Sequence, residues 1–169
     1  MSLRVVSLSY KSKSIYEIRR YKVEKQFQVI TQDKLLQYAE LFVKVFNEEP
    51  WYDHWTIQTA TKRLEEMMDN PHTRGLACYI DDELVGVILG RKEQYYDGVH
   101  FQIQEFYISN NTQGLGIGTA LLDTFKAELS KEGITQIYLV TLKGERTEGF
   151  YNKKGFKTDE LSILMNMKL

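Results

Sequence analysis

The sequence predicts an α/β (α+β) domain in which helices flank a mixed, mostly antiparallel central sheet. Three observations support this fold class. Two helical patterns come first, strand patterns joined by short turns follow, and a glycine-rich turn then leads into a further helix and strand. We expect one domain over residues 1–169, in which residues 1–20 are a peripheral N-terminal strand or extension.

Composition and charge argue against several classes of protein. Hydrophobic residues make up 43% of the chain and charged residues 27%, which is typical of a globular domain. Lys and Arg total 22 and Asp and Glu total 23, so the net charge of -1 argues against a nucleic-acid partner. No apolar stretch is long enough to span a bilayer and no signal peptide is recognisable. We therefore expect a cytoplasmic protein with no membrane partner.

The cysteines and histidines give no sign of a metal site. Cys78 is the single cysteine, so the chain can form neither an intrachain disulfide nor a zinc site of several thiolates. His54, His72 and His100 are scattered and lack the spacing of two ligands on one helix face. We therefore expect no metal ion.

Two helices are predicted before the sheet. The first begins at the N-cap Asp33, carries apolar residues at helical spacing and ends before Pro50. The second covers residues 56–68 and has Thr56 as its N-cap. Residues 48–55 between them, here called the interhelix segment, are rich in aromatic and acidic side chains.

Three strands are predicted next. Residues 75–80 and 84–91 form a hairpin, and a second turn at 95–98 leads into the third strand. The apolar alternation of the third strand changes phase between Ile103 and Phe106, which indicates a β-bulge.

The last part of the chain is predicted to alternate between helix and strand. A helix follows the glycine-rich turn and ends at Gly133, and residues 134–142 form a strand. A short helix then carries Phe150 and Tyr151, and a last strand covers residues 162–168.

The glycine-rich turn at residues 113–118, here called the glycine turn, is the most informative segment. A strand that leads through Gly-x-Gly-x-Gly into a helix directs backbone N–H groups to one point, and this arrangement favours a phosphate. A P-loop needs Lys-Ser or Lys-Thr after its last glycine, and a dinucleotide fingerprint needs its third glycine one place later. A turn without a ligand and a nucleotide-binding regulatory domain are the alternatives.

Two motifs resemble those of the GNAT acetyltransferases. The spacing Gln113-x-x-Gly116-x-Gly118 is similar to the family's coenzyme A loop, Q/R-x-x-G-x-G/A. Residues 150–156, FYNKKGF, are similar to its motif F-Y-x-K-x-G-F. The resemblance extends from about Gly75 to the C-terminus and implies the GNAT acyl-CoA N-acyltransferase fold.

The resemblance implies acetyl-CoA as co-substrate, bound by the third strand and the glycine turn. The implied coenzyme-binding residues are Phe106, Tyr107, Ile108, Gln113, Gly114, Leu115, Gly116, Ile117, Gly118 and Thr119. A backbone N–H around residues 106–108 would stabilise the oxyanion. Asn110 stands where the family frequently has proline.

The resemblance also implies catalytic roles. Tyr151 matches the family's thiolate-protonating tyrosine, and the alternative is a core aromatic side chain. Glu105 is the candidate general base, since partial desolvation raises the pKa of a carboxyl, and the alternative is a solvated strand residue. Asp97 is a second candidate, and the alternative is that it forms the turn beside Gly98. Cys78 is expected to be a small buried side chain rather than a nucleophile.

The acceptor pocket is expected at the interhelix segment, because this segment commonly forms a wall of that pocket in the family. Carboxylates among aromatic rings suit a cationic amine. The candidate acceptor-binding residues are Glu48, Glu49, Trp51, Tyr52, Asp53 and Trp55. The alternative is that the tryptophans pack inward and the carboxylates are solvated.

The predicted function is therefore an N-acetyltransferase that moves an acetyl group from acetyl-CoA to a primary amine of a small cationic molecule by direct attack. A protein lysine or N-terminal acetyltransferase is one alternative. A non-catalytic acyl-CoA-binding sensor is another. A homodimer is an open alternative to a monomer.

Overall fold

The computed structural model describes residues 24–169. Its elements in chain order are β1 (Gln26–Val29), a 3-10 turn (Gln32–Lys34), α1 (Leu35–Phe46), α2 (Ile57–Met68), β2 (Thr73–Ile80), β3 (Glu83–Tyr95), β4 (Gly98–Ile108), a 3-10 turn (Asn110–Thr112), α3 (Ile117–Lys131), β5 (Ile134–Leu139) and α4 (Glu148–Lys153). The expectation for residues 1–20 lies outside the described part of the chain.

The sheet has five strands in the order β1-β2-β3-β4-β5. β1 to β4 pair antiparallel, and β5 pairs parallel to β4 because α3 carries the chain back across the sheet. This sheet confirms the predicted fold class. None of the helices between residues 24 and 169 is long and apolar enough to cross a membrane.

Helices cover both faces of the sheet. On one face Phe42 of α1 packs against Tyr107 of β4, with ring centroids 5.3 Å apart. On the other face Phe125 of α3 packs against Phe101 of β4 at 5.3 Å. Both pairs are edge-on contacts of buried rings, a favourable arrangement for aromatic side chains. β4 is therefore the strand that both helical layers contact.

The predicted N-cap of α2 is confirmed and that of α1 is wrong. Thr56 accepts a hydrogen bond from the Thr59 N–H at 3.1 Å, and Thr59 returns a side-chain bond, which makes a capping box. Asp33 lies inside the 3-10 turn that precedes α1, so Thr31 takes the extended position before the first turn instead. A residue that is already inside the turn cannot cap it.

A β-bulge in β4 confirms the predicted change of phase. Leu89 of β3 pairs with Glu105, and the next residue, Gly90, pairs with Ile103, so Gln104 has no opposite residue. The extra residue changes which face the following side chains occupy. Ile103 packs in the layer of α3, whereas Glu105 contacts Arg63 of α2. The bulge thus places Glu105 on the α1/α2 side of the sheet.

The strand predicted over residues 162–168 is wrong. These residues form no ladder with the sheet, and Ile163, Met165 and Met167 are 80%, 80% and 84% exposed. A strand needs a hydrogen-bonded neighbour and one buried face, and this segment has neither. The strand predicted over 134–142 is shorter than expected and ends at Leu139.

Candidate active site

A cleft of about 890 Å³ opens where β4 and β5 separate. Their parallel ladder ends at the pair Ile103 and Leu139, although β4 continues to Ile108. The cleft is also lined by the glycine turn, by α4 and by the side chains of Phe46 and Trp51 near the end of α1. One edge of β4 beyond the bulge therefore faces the cleft instead of a neighbouring strand.

Two backbone amides of β4 are available at this edge. The Ser109 N–H donates to the Val85 carbonyl of the neighbouring β3 segment at 2.8 Å. Amides alternate in direction along a strand, so the Tyr107 N–H also points to β3, and those of Phe106 and Ile108 point toward the cleft. These are the donors that could bind a carbonyl oxygen there.

The glycine turn has the backbone conformation that its glycines permit. Gly114 and Gly116 have φ angles of +79° and +72°, in the left-handed region that disfavours other residues. A Cβ at either position would meet no atom within 4 Å. The backbone angle, and not crowding by the protein, requires glycine here, and the space in front of the turn is open.

The amides at the start of α3 form no hydrogen bond with the described part of the chain. The first intrahelical bond runs from the Ala120 N–H to the Gly116 carbonyl at 3.0 Å. Within residues 24–169, no acceptor is found for the amides of Gly116, Ile117, Gly118 and Thr119. Free donors at the positive end of the helix dipole fit an anionic group such as a diphosphate.

Two basic side chains also line the cleft. Arg146 lies 3.6 Å from Glu49, and Lys153 of α4 contacts Glu145. Most of the Arg146 side chain is exposed, so its ion pair with Glu49 is weak and can be exchanged. The donor set and the positive charges therefore suit a coenzyme that carries phosphates.

Tyr151 is packed among aromatic rings at the wall of the cleft. Its ring centroid lies 6.3 Å from Phe106, 5.2 Å from Phe150 and 5.5 Å from Phe156. Burial raises the pKa of the Tyr151 phenol, and the negative charge of Glu105 raises it further. Tyr151 is therefore protonated at neutral pH and can donate a proton into the cleft.

Glu105 lines the cleft and is 7% exposed. Burial raises the pKa of its carboxyl, and the Arg63 guanidinium, whose Nε donates to Oε1 at 2.7 Å, opposes this increase. The negative charge of Asp53 adds a further, smaller increase. A carboxyl whose pKa lies above its ordinary value is a better proton acceptor than a solvated one.

The interhelix segment divides between the cleft and the core. Trp51 lines the cleft, with its ring 5.4 Å from Phe46, whereas Trp55 packs edge-on against Phe42 at 5.1 Å. Tyr52 is 64% exposed and does not line the cleft. The segment thus contributes one aromatic wall and one core residue.

Its three carboxylates are all engaged with polar side chains. Glu48 accepts from the Asn110 side-chain amide, Glu49 pairs with Arg146, and Asp53 accepts from the Trp55 indole N–H at 3.0 Å. None of the three lines the cleft itself.

The other predicted coenzyme residues occupy two environments. Phe106, Tyr107, Ile108, Gln113, Gly114, Gly116, Ile117, Gly118 and Thr119 line the cleft. Leu115 packs against the core layer of α3 instead. Residues 24–169 contain no group of three or more His, Cys, Asp or Glu side chains that could hold a metal ion.

Four residues near the site were not predicted as site residues: Arg63, Asn110, Arg146 and Lys153, the last of which lies within the FYNKKGF motif. Arg63 reaches Glu105 across 42 residues of chain, and a single sequence carries no signal for such a contact. Asn110 had a signal, because it departs from the family's frequent proline. Arg146 lies in an irregular loop before α4, where no periodicity indicates its direction.

Solved structures share this fold. A possible acetyltransferase from Clostridium difficile 630 has a TM-score of 0.73 at 16% identity, over 86% of this chain and 98% of that one. A ribosomal-protein-alanine N-acetyltransferase from Brucella melitensis biovar Abortus 2308 has a TM-score of 0.70 at 14% identity, over 85% of this chain and 100% of that one. An aminoglycoside acetyltransferase from an uncultured soil metagenomic sample, in complex with sisomicin, has a TM-score of 0.67 at 14% identity, over 86% and 96%.

At these low identities the solved structures establish the fold alone. The family follows from a comparison of the sequence with family models. No curated protein matches the chain. Residues 24–166 match the family model described as "Acetyltransferase (GNAT) domain", which covers the cleft, both motifs and all five strands. The chain therefore belongs to the GNAT acetyltransferase family, as its two motifs predicted.

Proposed function

We propose that this GNAT acetyltransferase transfers an acetyl group from acetyl-CoA to a primary amine of a small cationic molecule. The observation that carries the proposal is the row of free amides from Gly116 to Thr119, which opens onto the same cleft as Glu105 and Tyr151. An anion-binding turn, a buried carboxylate and a protonated phenol at one cleft are the groups that acetyl transfer to an amine needs.

Binding of the coenzyme is assigned to the glycine turn and the start of α3. The free amides at Gly116–Thr119 would hold the diphosphate, and Arg146 and Lys153 would add positive charge nearby. Acetyl-CoA supplies an acetyl group that is activated as a thioester. The free edge of β4 would position this end of the coenzyme along the cleft.

Three groups of the chain would then act on the reaction. The carboxylate of Glu105 takes a proton from the incoming ammonium, so that a neutral amine attacks directly. The amides of Phe106 and Ile108 donate to the carbonyl oxygen as negative charge develops there. The Tyr151 phenol holds the proton that the departing sulfur requires.

A small cationic acceptor is supported by the wall of the cleft near the interhelix segment. Trp51 supplies an aromatic face, and Glu48, Glu49 and Asp53 supply negative charge within the same segment. One solved neighbour with this fold is named as an aminoglycoside acetyltransferase and contains sisomicin. Polyamine-like or aminoglycoside-like amines are therefore the acceptors to try first.

The test is a screen that follows the release of free coenzyme A. Acetyl-CoA is incubated with the protein and with polyamines, aminoglycosides, lysine peptides and peptides with a free N-terminus, and calorimetry measures coenzyme binding separately. We expect release with a small cationic amine. Release only with peptides would establish a protein acetyltransferase, and binding without release would establish a sensor. Preferential binding of ATP or NAD would overturn the acetyl-CoA assignment.

A further inference from the structure

Arg63 forms an ion pair with the buried carboxylate of the cleft. Glu105 is the only buried carboxylate within residues 24–169, and Arg63 of α2 donates from Nε to its Oε1 at 2.7 Å. A second guanidinium nitrogen, Nη2, approaches the same oxygen at 2.5 Å. The arginine therefore contacts one carboxylate oxygen with two nitrogens, and not both oxygens.

The other oxygen of Glu105, Oε2, is not bound by Arg63 and can contact the cleft. No donor from residues 24–169 reaches Oε2. Among the described residues, the fully buried side-chain polar atoms without a partner are Thr61 Oγ1 and Tyr79 OH, so Oε2 is not one of them. Glu105 lines the cleft, and Oε2 thus keeps contact with the space where a substrate would lie.

The interhelix segment holds Arg63 in this position. The guanidinium lies over the Trp55 ring, with its carbon 5.7 Å from the ring centroid. Trp55 is fixed in turn by Asn47, whose side chain bonds both the backbone N–H and the carbonyl of Trp55 at 2.8 Å. Asp53 accepts from the indole N–H of Trp55 at 3.0 Å.

We propose that Arg63 is a positioning residue for the acceptor amine, because it holds Oε1 of Glu105 and leaves Oε2 directed to the ammonium. The inference rests on the proposed function, since it concerns the base of that reaction. In the step it serves, an N–H bond of the ammonium breaks, an O–H bond forms at Oε2, and the electron pair stays on nitrogen. Trp55 then acts through Arg63, and the hydrogen bond from Asp53 acts through Trp55.

The charges around Glu105 explain why the arginine is needed. Tyr107 of β4 and Tyr151 of α4 are neutral neighbours, and Asp53 is a negative one. Burial and the charge of Asp53 both favour the protonated carboxyl, which cannot accept another proton. Arg63 is the positive charge that opposes them.

The test compares Arg63→Gln and Arg63→Lys with Arg74→Gln. Arg74 pairs with Glu132 at 3.0 Å and is about as exposed as Arg63, but its partner Glu132, unlike Glu105, does not line the cleft. Carbon-13 NMR follows the Glu105 carboxyl against pH, with Glu105→Gln used to assign its signal. In Arg63→Gln we expect the Glu105 pKa to rise by about one unit or more. Arg63→Lys should restore most of the wild-type value, and Arg74→Gln should leave it unchanged.

The kinetic arm uses the pH profile of kcat/KM for the amine. We expect its acid limb in Arg63→Gln to move upward by the same interval as the carboxyl, while the KM for acetyl-CoA stays unchanged. Thermal melts verify that each variant is folded. A Glu105 carboxyl that titrates identically in wild type and Arg63→Gln would overturn the proposal, and so would an acid limb that stays in place while the carboxyl shifts.

The two proposals fail in different ways. If wild-type protein releases no coenzyme A with any amine, the proposed function fails and the role toward an acceptor fails with it. The NMR arm would still decide whether Arg63 keeps Glu105 charged. If wild type is active and Arg63→Gln has an unchanged profile, only the positioning role of Arg63 is wrong.

Discussion

The carboxylate of Glu48 accepts a hydrogen bond from the side-chain amide of Asn110, across 62 residues of chain. The other end of that amide, Oδ1, accepts from Gln113 Nε2 at 2.6 Å. One side chain thus joins the interhelix segment to the glycine turn. A proline, which the family frequently has at this position, offers no side-chain amide. The link between the interhelix segment and the glycine turn therefore depends on this departure.

The three carboxylates of the interhelix segment accept hydrogen bonds or form ion pairs. Amide substitutions can therefore remove their charge and keep an oxygen that accepts. In the triple variant Glu48→Gln, Glu49→Gln and Asp53→Asn, each side chain keeps an oxygen that can accept, and three negative charges are removed. We expect the KM for a cationic amine to rise roughly tenfold, because exposed charge pairs contribute up to about 1 kcal/mol each. Steady-state kinetics with amine and acetyl-CoA varied in turn measure both KM values.

A matched control removes three negative charges elsewhere. Glu40, Glu65 and Glu66 are exposed residues of α1 and α2, and their side chains bond to no residue of the interhelix segment or of the cleft, so their replacement by Gln should leave both KM values unchanged. An unchanged amine KM in the first triple variant would contradict the acceptor assignment. A rise in the KM for acetyl-CoA alone would place these charges on the coenzyme side instead.

The regular part of the fold could be predicted because local signals agreed with the final packing. The N-cap Thr56 and the turn at 95–98 are such local signals. The phase change around Gln104 was readable because both faces of β4 are buried, so a shift of alternation leaves a trace in the apolar pattern. β1 was not predicted, because Phe27 is its one partly buried residue and the other three are exposed. Its sequence therefore shows no alternation of apolar and polar residues.

The candidate site was predictable where its backbone conformation requires particular residues. Gly114 and Gly116 have positive φ angles that a sequence marks by glycine itself. Arg63 was not predictable, because an arginine on an amphipathic helix resembles any solvated charge until the bulge brings Glu105 to the same face. Asp33 was predicted as an N-cap from its residue type alone. It lies inside the 3-10 turn before α1, and the residue type does not reveal that position.

Tyr151→Phe should separate proton donation from packing. The substitution keeps the aromatic contacts with Phe106 and Phe150 and removes the hydroxyl. We expect kcat to fall by about 10²-fold, the lower range for a lost general acid, with the KM for acetyl-CoA nearly unchanged. The exposed Tyr96, replaced by Phe in the same way, should have no effect. Full activity in Tyr151→Phe would show that Tyr151 is a packing residue.

Gly116→Ala and Gly133→Ala form a matched pair for the role of the glycine turn. Their φ angles are +72° and +77°, and a Cβ at either would meet no atom within 4 Å. Both variants should therefore lose about 1–2 kcal/mol of unfolding free energy to backbone strain. Gly116 lines the cleft and Gly133 follows the far end of α3, so only Gly116→Ala should weaken coenzyme binding.

Urea unfolding and calorimetry with acetyl-CoA measure the two effects. We expect the dissociation constant to rise at least tenfold in Gly116→Ala and to stay at the wild-type value in Gly133→Ala. Equal affinities in the two variants would mean that the coenzyme does not approach the turn closely.

The Cys78 thiol should be unreactive in the folded protein. Its side chain is fully buried, and burial raises the pKa of the thiol to about 11. At pH 8 only about one thiol in a thousand would then be ionised, and the thiolate is the form that reacts with disulfide reagents. We expect no labelling of native protein at pH 8 and complete labelling in denaturant. The variant Cys78→Ala should keep its activity. Loss of activity in this variant, or fast labelling of the native protein, would instead support an acyl-enzyme route through the Cys78 sulfur.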